Sequence, residues 1–465
     1  MAQELLVTVD RNGAAPLHVQ IEQGLRDAIC AGRLPSGTTL PSSRALAQDL
    51  GISRGVVVEA YDQLIAEGYL VGRRGSATRV ARTGTQVRRE LRSEPSASPP
   101  RYDFRLGVPN LASFPRGEWL ASIRRVLKDI PDNTFRYGDP QGTAELRSAL
   151  ATYLGRVRGV VTDPDRVVVC SGFSQGLNLV CQSLKLRGAR HVVMEDPSQE
   201  HQRDIVKRAG LEPIGVPVDD AGLRTDLLDG VTADAVLVTP AHQYPTGAVL
   251  APERRLELCS WAEHQDAVVI EDDYDAEYRY DRDPIGAVQG LSPQRVIYAG
   301  SASKTLAPCF RLGWLALPSW LTESVSQAKA GHDLGSPAIE QLALADFIST
   351  GRFDRHLRRN RATYRRRRDA LVAALTEYIP EVEVQGVAAG LHLVAKLPKE
   401  LDEERLVQAA AERSVGTYPI GRYRFPGGSG DPAILLGYGT ISESAIEPGI
   451  RRLKDAMTSL TGGQI

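Results

Sequence analysis

The sequence predicts two folded units in one chain: a small helical head that ends in a hairpin, and a large, mostly parallel α/β body with a smaller α/β lobe at its C-terminal end. Three observations predict it. Over residues 11–81, apolar residues recur at helical spacing and then give way to two short β-prone runs. From residue 102 onward, short runs that are apolar on both faces alternate with helical stretches, which suits a sheet covered by helices on each side. Between them, residues 82–101 carry no apolar period and finish in Ser, Pro and Ala, the composition of an extended linker. The length of 465 residues agrees, since a prior of roughly 150 residues per domain gives two to four structural units. The expected division is therefore a head over 11–81, a linker over 82–101 and a body over 102–460.

In the head, Leu17, Ile21, Leu25 and Ile29 recur every four residues and lie on one helix face, with Gly32 as the stop. After the turn LPSGTTLP, Ser42 or Ser43 can cap a short helix carrying Leu46 and Leu50, which Gly51 breaks. Ser53 can cap a third helix with Val56, Val57, Ala60, Tyr61, Leu64 and Ile65 turned inward. Two short helices joined by a tight glycine turn make a helix-turn-helix. The stretch GYLVGRRGSATRVA that follows has two β-prone runs around Arg73 and Arg74, as a two-stranded wing would.

In the body, the runs are RVVVC (166–170), HVVM (191–194), PIGVPV (213–218), AVLVT (235–239), AVVI (267–270), RVIYAG (295–300) and LGWLAL (312–317). Beyond about residue 340 come a long Arg-rich helix and then a mixed segment, 381–455, expected to form the smaller lobe.

Composition excludes several classes. With 42% hydrophobic and 24% charged residues the chain lies far from disorder. No apolar run approaches the roughly 20 residues that span a bilayer, and the start MAQELLVTVDRNGAAP lacks the pattern of a signal peptide. No membrane partner is expected, and the expected location is the cytoplasm. Cys30, Cys170, Cys181, Cys259 and Cys309 are scattered without CxxC pairs or His partners at metal spacing, so neither a disulfide framework nor a metal site is indicated.

The net charge of -1 says nothing about nucleic acid, because such binding needs a local basic patch. Residues 11–82 hold nine arginines against six acidic residues. Arg44 starts the second helix, Ser53 and Arg54 start the third, and Arg73 and Arg74 sit on the wing. In a helix-turn-helix these are the places that meet base edges and phosphates, so the expected partner is a double-stranded DNA operator. The whole stretch from Pro16 to Val80, including LPSSR and ISR, resembles the winged helix-turn-helix of the GntR family. The resemblance implies DNA contact by Arg44 and Arg54, and by Arg74 at the wing tip. Gly55 and Val58 stand where members often have Thr or Arg.

Four motifs in the body point to one chemistry. SGFSQG (171–176) lies between a strand and an amphipathic helix, where the backbone N–H groups of Phe173 and Ser174 favour a phosphate. EDDYDAEYRY (271–280) places Asp272 and Tyr274 two apart at a strand end, on one side if the backbone stays extended. A carboxylate there keeps a pyridine nitrogen protonated, and a phenol can bond the ring's 3′ oxygen. SASKTLAPCFR (301–311) sets the amine of Lys304 among Ser301, Ser303 and Arg311, an amine for a Schiff base among phosphate ligands. TPAHQYPTG (239–247) is a loop directly after a strand.

Together these resemble the fold-type I aminotransferases over about 102–460, and the resemblance implies pyridoxal 5′-phosphate as cofactor. It implies Lys304 as the Schiff-base lysine, Asp272 against the pyridine nitrogen, Tyr274 on the 3′ oxygen, and Ser301, Ser303 and Arg311 on the phosphate. Tyr137, in FRYGDPQGTAELR, matches a tyrosine that reaches the phosphate in the partner subunit's site, which implies a homodimer. A GntR head on this body, with the wording HQYPTG, EDDYDAEYRY and SKTLAP, resembles the MocR family of regulators. The chain is thus expected to regulate transcription and to sense pyridoxal phosphate or an amino compound; a working aminotransferase with an appended helix-turn-helix is the alternative.

Three positions depart from the aminotransferase pattern. Tyr244 replaces the Asn of NPTG that contacts the 3′ oxygen, leaving His242 or Gln243 to take over. Gln199 stands where relatives put a Tyr near the ring. Leu435, in AILLGYG, falls at about the place of the arginine that clamps a substrate α-carboxylate, so an amino acid would lack its bidentate anchor. In GRFDRHLRRNRATYRRRRDAL (351–371), Leu357, Tyr364 and Leu371 recur every seven residues, so one stripe can be buried under a solvated arginine face, with DNA contact as the alternative.

Overall fold

The computed structural model describes residues 8–72, 77–81, 100–280, 285–386 and 388–462. The chain forms two compact units, Met1–Ser98 and Pro99–Ile465.

In the head, the helix Leu17–Cys30 buries Ile21, Leu25 and Ala28, and Gly32 follows with φ +72°. The Ser42 hydroxyl accepts from the Ala45 N–H at 3.2 Å and caps the helix Ser43–Asp49, which buries Leu46. The third helix, Arg54–Ala66, buries Val57, Ala60, Tyr61 and Leu64, while Val56 and Ile65 are only half-buried at the edge of that face. Ser53 stands at the N-cap position, but its side chain makes no capping bond. This corrects the expected cap: the helix end is exposed, so water can satisfy its first N–H groups. The strands Leu70–Val71 and Arg79–Val80 pair antiparallel as the base of a wing. Arg73, Arg74 and residues 82–99 of the linker lie outside the described residues.

The body is built on an eight-stranded sheet in the order Val167–Cys170, Gly313–Ala316, Val296–Ser301, Val268–Asp272, Ala235–Val238, His191–Asp196, Glu212–Asp219, Gly222–Leu223. The five strands from Val296–Ser301 to Glu212–Asp219 are mutually parallel. Gly313–Ala316 runs antiparallel between two of the others. Four strands, those starting at Val167, Ala235, Val268 and Gly313, are buried along their whole length, as helices on both faces require. Glu212–Asp219 is more open, because only the two-residue strand Gly222–Leu223 lies beyond it. The strand ends at Cys170, Asp196, Val238, Asp272 and Ser301 all reach one edge of the sheet, where open α/β sheets bind ligands.

The smaller lobe is a four-stranded antiparallel sheet, Glu383–Gln385, His392–Lys396, Ala433–Gly437 and Tyr418–Pro419, with the helices Glu403–Glu412 and Glu443–Thr461. Tyr102–Asp103 pairs with Val415–Gly416, which ties the first segment of the body to this lobe and carries Leu106 and Gly107 to the sheet edge. The Arg-rich helix Arg352–Tyr378 buries Leu357, Tyr364 and Leu371. Its arginines are not all solvated: Arg361 donates to the Glu277 carbonyl at 2.8 and 3.0 Å, and Arg367 donates to the Gly439 carbonyl. These two fasten the helix to the body.

Candidate functional site

At the sheet edge the strand ends, the helix Phe173–Leu186 and the smaller lobe enclose a cavity of about 420 Å³. Eight of the nine residues expected from sequence to hold the cofactor line it: Phe173, Ser174, Asp272, Tyr274, Ser301, Ser303, Lys304 and Arg311. Tyr137 does not; it is 88% exposed on the surface, and the resemblance directs it to a partner's site.

The cavity has chemically distinct ends. Asp272 ends a central strand, is buried, and accepts from Gln202 Nε2 at 3.0 Å. Burial pushes its carboxyl up to about 8, the neighbouring Asp273 adds to this, and the Gln202 bond opposes it. Among the described residues no cation forms an ion pair with this carboxyl, although Lys304 acts on it from a distance, and a protonated pyridine nitrogen would supply a direct partner. At the other end, Phe173 and Ser174 open the helix Phe173–Leu186 with their N–H groups at its N-terminus, next to Arg311, which donates to the Ser171 carbonyl. Ser301 and Ser303 flank this end, and His201 Nε2 lies 3.3 Å from the Ser174 hydroxyl.

Lys304 sits between them and donates from Nζ to the Gly107 carbonyl. Gly107 has φ +66°, and a Cβ there would lie 2.8 Å from the amine, so any side chain would crowd it. Burial pushes the Lys304 ammonium down, against the pull of Asp275 and Asp272, and the neutral amine is the form that attacks a carbonyl. Carboxyl, amine, phenol and anion site therefore fit pyridoxal phosphate.

The departures take definite places. Tyr244 lines the cavity, with its hydroxyl 3.3 Å from that of Tyr423. Gln243 turns away: its amide donates to the Pro197 and Tyr244 carbonyls at 2.9 and 2.8 Å and accepts from Thr246, holding the loop. His242 meets Tyr274, whose hydroxyl is 3.0 Å from Nδ1 and 2.9 Å from the His242 carbonyl. Gln199 is on the wall, whereas Leu435 is wholly buried behind it, packed with Val394 and Tyr418. Arg311 is the one arginine among the described residues that line the cavity.

Sequence reasoning missed Leu106, Gly107, Leu391, His392, Tyr418 and Tyr423, which come from distant segments with no motif around them. It also missed Gln202 and Asp275. Asp275 lies inside the quoted EDDYDAEYRY, and a further acid directly after Tyr274 was the signal.

On the head, Arg44 and Arg54 are exposed at the starts of their helices, with Ser53 beside them, and Arg54 Nε donates to the Ser43 hydroxyl at 3.3 Å. The two helix N-termini thus present their cations on one unit.

Comparisons with known proteins match both units. The family "Bacterial regulatory proteins, gntR family" matches residues 17–80, and "Aminotransferase class I and II" matches residues 110–429. The probable rhizopine catabolism regulatory protein MocR of Rhizobium meliloti is 33% identical over 98% of this chain and 96% of its own. The chain belongs to the MocR-type family of GntR regulators. Within that family, the HTH-type pyridoxine biosynthesis transcriptional regulator PdxR of Corynebacterium glutamicum is 32% identical, over 98% of this chain and 100% of its own. Among solved structures, the kynurenine aminotransferase of Pyrococcus horikoshii, in complex with PMP, is similar with a TM-score of 0.72 and 26% identity, covering 78% of this chain and 92% of that one. The α-aminoadipate aminotransferase LysN of Thermus thermophilus gives 0.70 and 28%, covering 77% and 92%. The body thus has the fold-type I aminotransferase fold. No helix among the described residues is long and apolar enough to cross a membrane.

Proposed function

We propose that the chain is a cytoplasmic, homodimeric transcription regulator that binds operator DNA through the head and holds pyridoxal phosphate in the body, where it senses that compound or an amine that condenses with it. The observation that carries this reading is one cavity that combines the Lys304 amine, the buried Asp272 carboxyl, the Tyr274 phenol and the anion site at Arg311. Lys304 would hold the cofactor covalently, Asp272 its ring nitrogen, Tyr274 its 3′ oxygen, and Phe173, Ser174, Ser301, Ser303 and Arg311 its phosphate. Tyr137 would reach the phosphate held by the partner subunit. Bound there, the group would supply a carbon at which a primary amine can take the place of the lysine, and an electron-withdrawing ring.

Sensing is favoured over turnover by Leu435. Bidentate arginine is the usual anchor for a carboxylate, and the cavity's one described arginine stands at the phosphate end. The name of the pyridoxine biosynthesis regulator supports pyridoxal phosphate as a ligand of this kind of body. Occupancy of the pocket can act on DNA binding only through a difference in affinity between two states of the protein.

The test is an absorbance spectrum of the purified protein with added pyridoxal phosphate, alongside binding to operator fragments the protein itself selects from genomic DNA. A visible band together with cofactor-dependent operator affinity is expected. Amino donors converted at about 1 s⁻¹ or faster, the low end of ordinary enzymes, would return the body to aminotransferase work.

A further inference from the structure

Beside the Tyr274 phenol lies a cluster that joins His242 and Asp275, from two of the motifs, to His392 from the smaller lobe. His242, Asp275 and His392 each bring a ring nitrogen or carboxylate oxygen to within 4.8 Å of one another, and all three are buried. His242 Nδ1 is 3.0 Å from Asp275 Oδ2, and both side chains are 2% exposed. An ionised carboxylate only accepts, so Asp275 fixes the tautomer of His242 with its proton on Nδ1. His392 Nε2 is 3.0 Å from the Pro245 carbonyl and must carry its own proton there. Gly390 closes the cluster: a Cβ on it would lie 2.2 Å from His242 Cε1 and 2.5 Å from Asp275 Oδ2. The imidazole is thus wedged in place by backbone and held by a carboxylate.

Asp275 and His392 line the cavity themselves, and His242 meets it through the phenol of Tyr274. The phenol oxygen lies 3.0 Å from His242 Nδ1 and 2.9 Å from the His242 carbonyl, so the one Nδ1 proton is shared between Asp275 and the phenol oxygen, while the phenol's own proton turns either to that carbonyl or into the cavity. We propose that His242, its tautomer fixed by Asp275, is the positioning residue that takes over from the missing Asn: it holds the Tyr274 phenol so that its proton is delivered to the 3′ oxygen of bound pyridoxal phosphate. Tyr244 fills the Asn position but turns its hydroxyl to Tyr423, and Gln243 is tied up in holding the loop. The inference rests on the reading that this cavity binds the cofactor.

The test is the pH at which the visible band of the bound cofactor changes. A hydrogen bond to a charged form favours that form, so donation to a negative 3′ oxygen holds this midpoint down. His242→Ala should raise it by about one unit. Asn carries a donor near the position of Nδ1 and Gln one near Nε2, so His242→Asn should keep the wild-type midpoint and His242→Gln should raise it, which decides the matter even where the Ala variant does not fold. In a Tyr274→Phe background, substitution of His242 should add nothing further. Asp272, Asp275, Glu195, Tyr244, His392 and Lys304 face Tyr274 or its neighbours and stay in place throughout. An unmoved midpoint in His242→Ala and His242→Gln overturns the proposal, as does an equal shift with and without the Tyr274 hydroxyl. So does a midpoint in the unchanged protein that answers to Zn²⁺ or a chelator, which would assign the cluster to a cation. A colourless unchanged protein would instead remove the cofactor reading itself, and this inference with it.

Discussion

Arg44 on the head and Asp272 in the body are both expected to meet a charged group, yet they wait for it in opposite ways. Arg44 is exposed and makes no hydrogen bond or ion pair with any described residue. Asp272 is buried, bonded by Gln202 and surrounded by Asp273, Asp275 and Lys304. The head can leave its cations in water because a nucleic acid supplies a dense row of phosphates and each contact releases counterions. The body must build its site in advance, because one small ligand gives one chance to pair each buried group. The head should therefore lose affinity by small steps on substitution, and the body by large ones.

The largest expected step is Lys304→Ala. A primary amine is needed for covalent attachment, so the variant should lose the visible band and borohydride should fix no cofactor to the chain, while far-ultraviolet dichroism stays unchanged. A yellow Lys304→Ala protein would mean that another lysine holds the cofactor.

Asp272→Asn should follow. Hydrogen bonds to charged groups contribute about 1.5–3 kcal/mol, so cofactor affinity should fall roughly 10- to 100-fold by titration. The same variant has a pH signature. The fold raises this carboxyl from 3.8 to about 8, so the stability it gives the cofactor-free protein is complete below about pH 4 and is lost as pH rises through about 8. Between about pH 6 and 8, cofactor-free wild type should lose melting temperature relative to Asp272→Asn. Glu195, Glu271 and Glu277, each raised to about 7 by burial, act with the same sign in both proteins and cancel. Parallel melting curves would show that Asp272 ionises freely.

On the head the steps shrink. Arg54→Ala should cost about 1–3 kcal/mol of discrimination between operator and mutated sites if it reads a base edge. Arg44→Ala should weaken all sequences alike and reduce the salt slope of log K by about one, as loss of one phosphate contact requires. If Arg44→Ala changed sequence preference instead, the two arginines would have to exchange roles. Ser42→Ala removes the cap of the helix Ser43–Asp49 and should cost about 1 kcal/mol of head stability, read from thermal unfolding.

What was legible in the sequence follows the same divide. The head's helices are local, so spacing and caps placed them; the choice between Ser42 and Ser43, the idle Ser53 hydroxyl and the half-burial of Val56 and Ile65 needed coordinates. In the body, residues at a strand end, such as Asp272, or just past one, such as Lys304, were readable because the motif follows the strand. Tyr418, Tyr423 and Leu106 were not, because the pairing of Tyr102–Asp103 with Val415–Gly416 joins segments more than 300 residues apart. The stand-in for the missing Asn was open between His242 and Gln243, since neighbouring loop residues point in directions that only the folded loop decides.

Coupling between the pre-built cofactor pocket and the exposed DNA face is tested most directly by operator affinity measured with and without pyridoxal phosphate. Wild type should bind operator with affinities that differ several-fold between the two conditions, and by linkage operator should change cofactor affinity by the same factor. Lys304→Ala should bind operator with one affinity in both conditions. Identical wild-type affinity and promoter output with the cofactor present, absent or condensed with candidate amines would contradict the coupling.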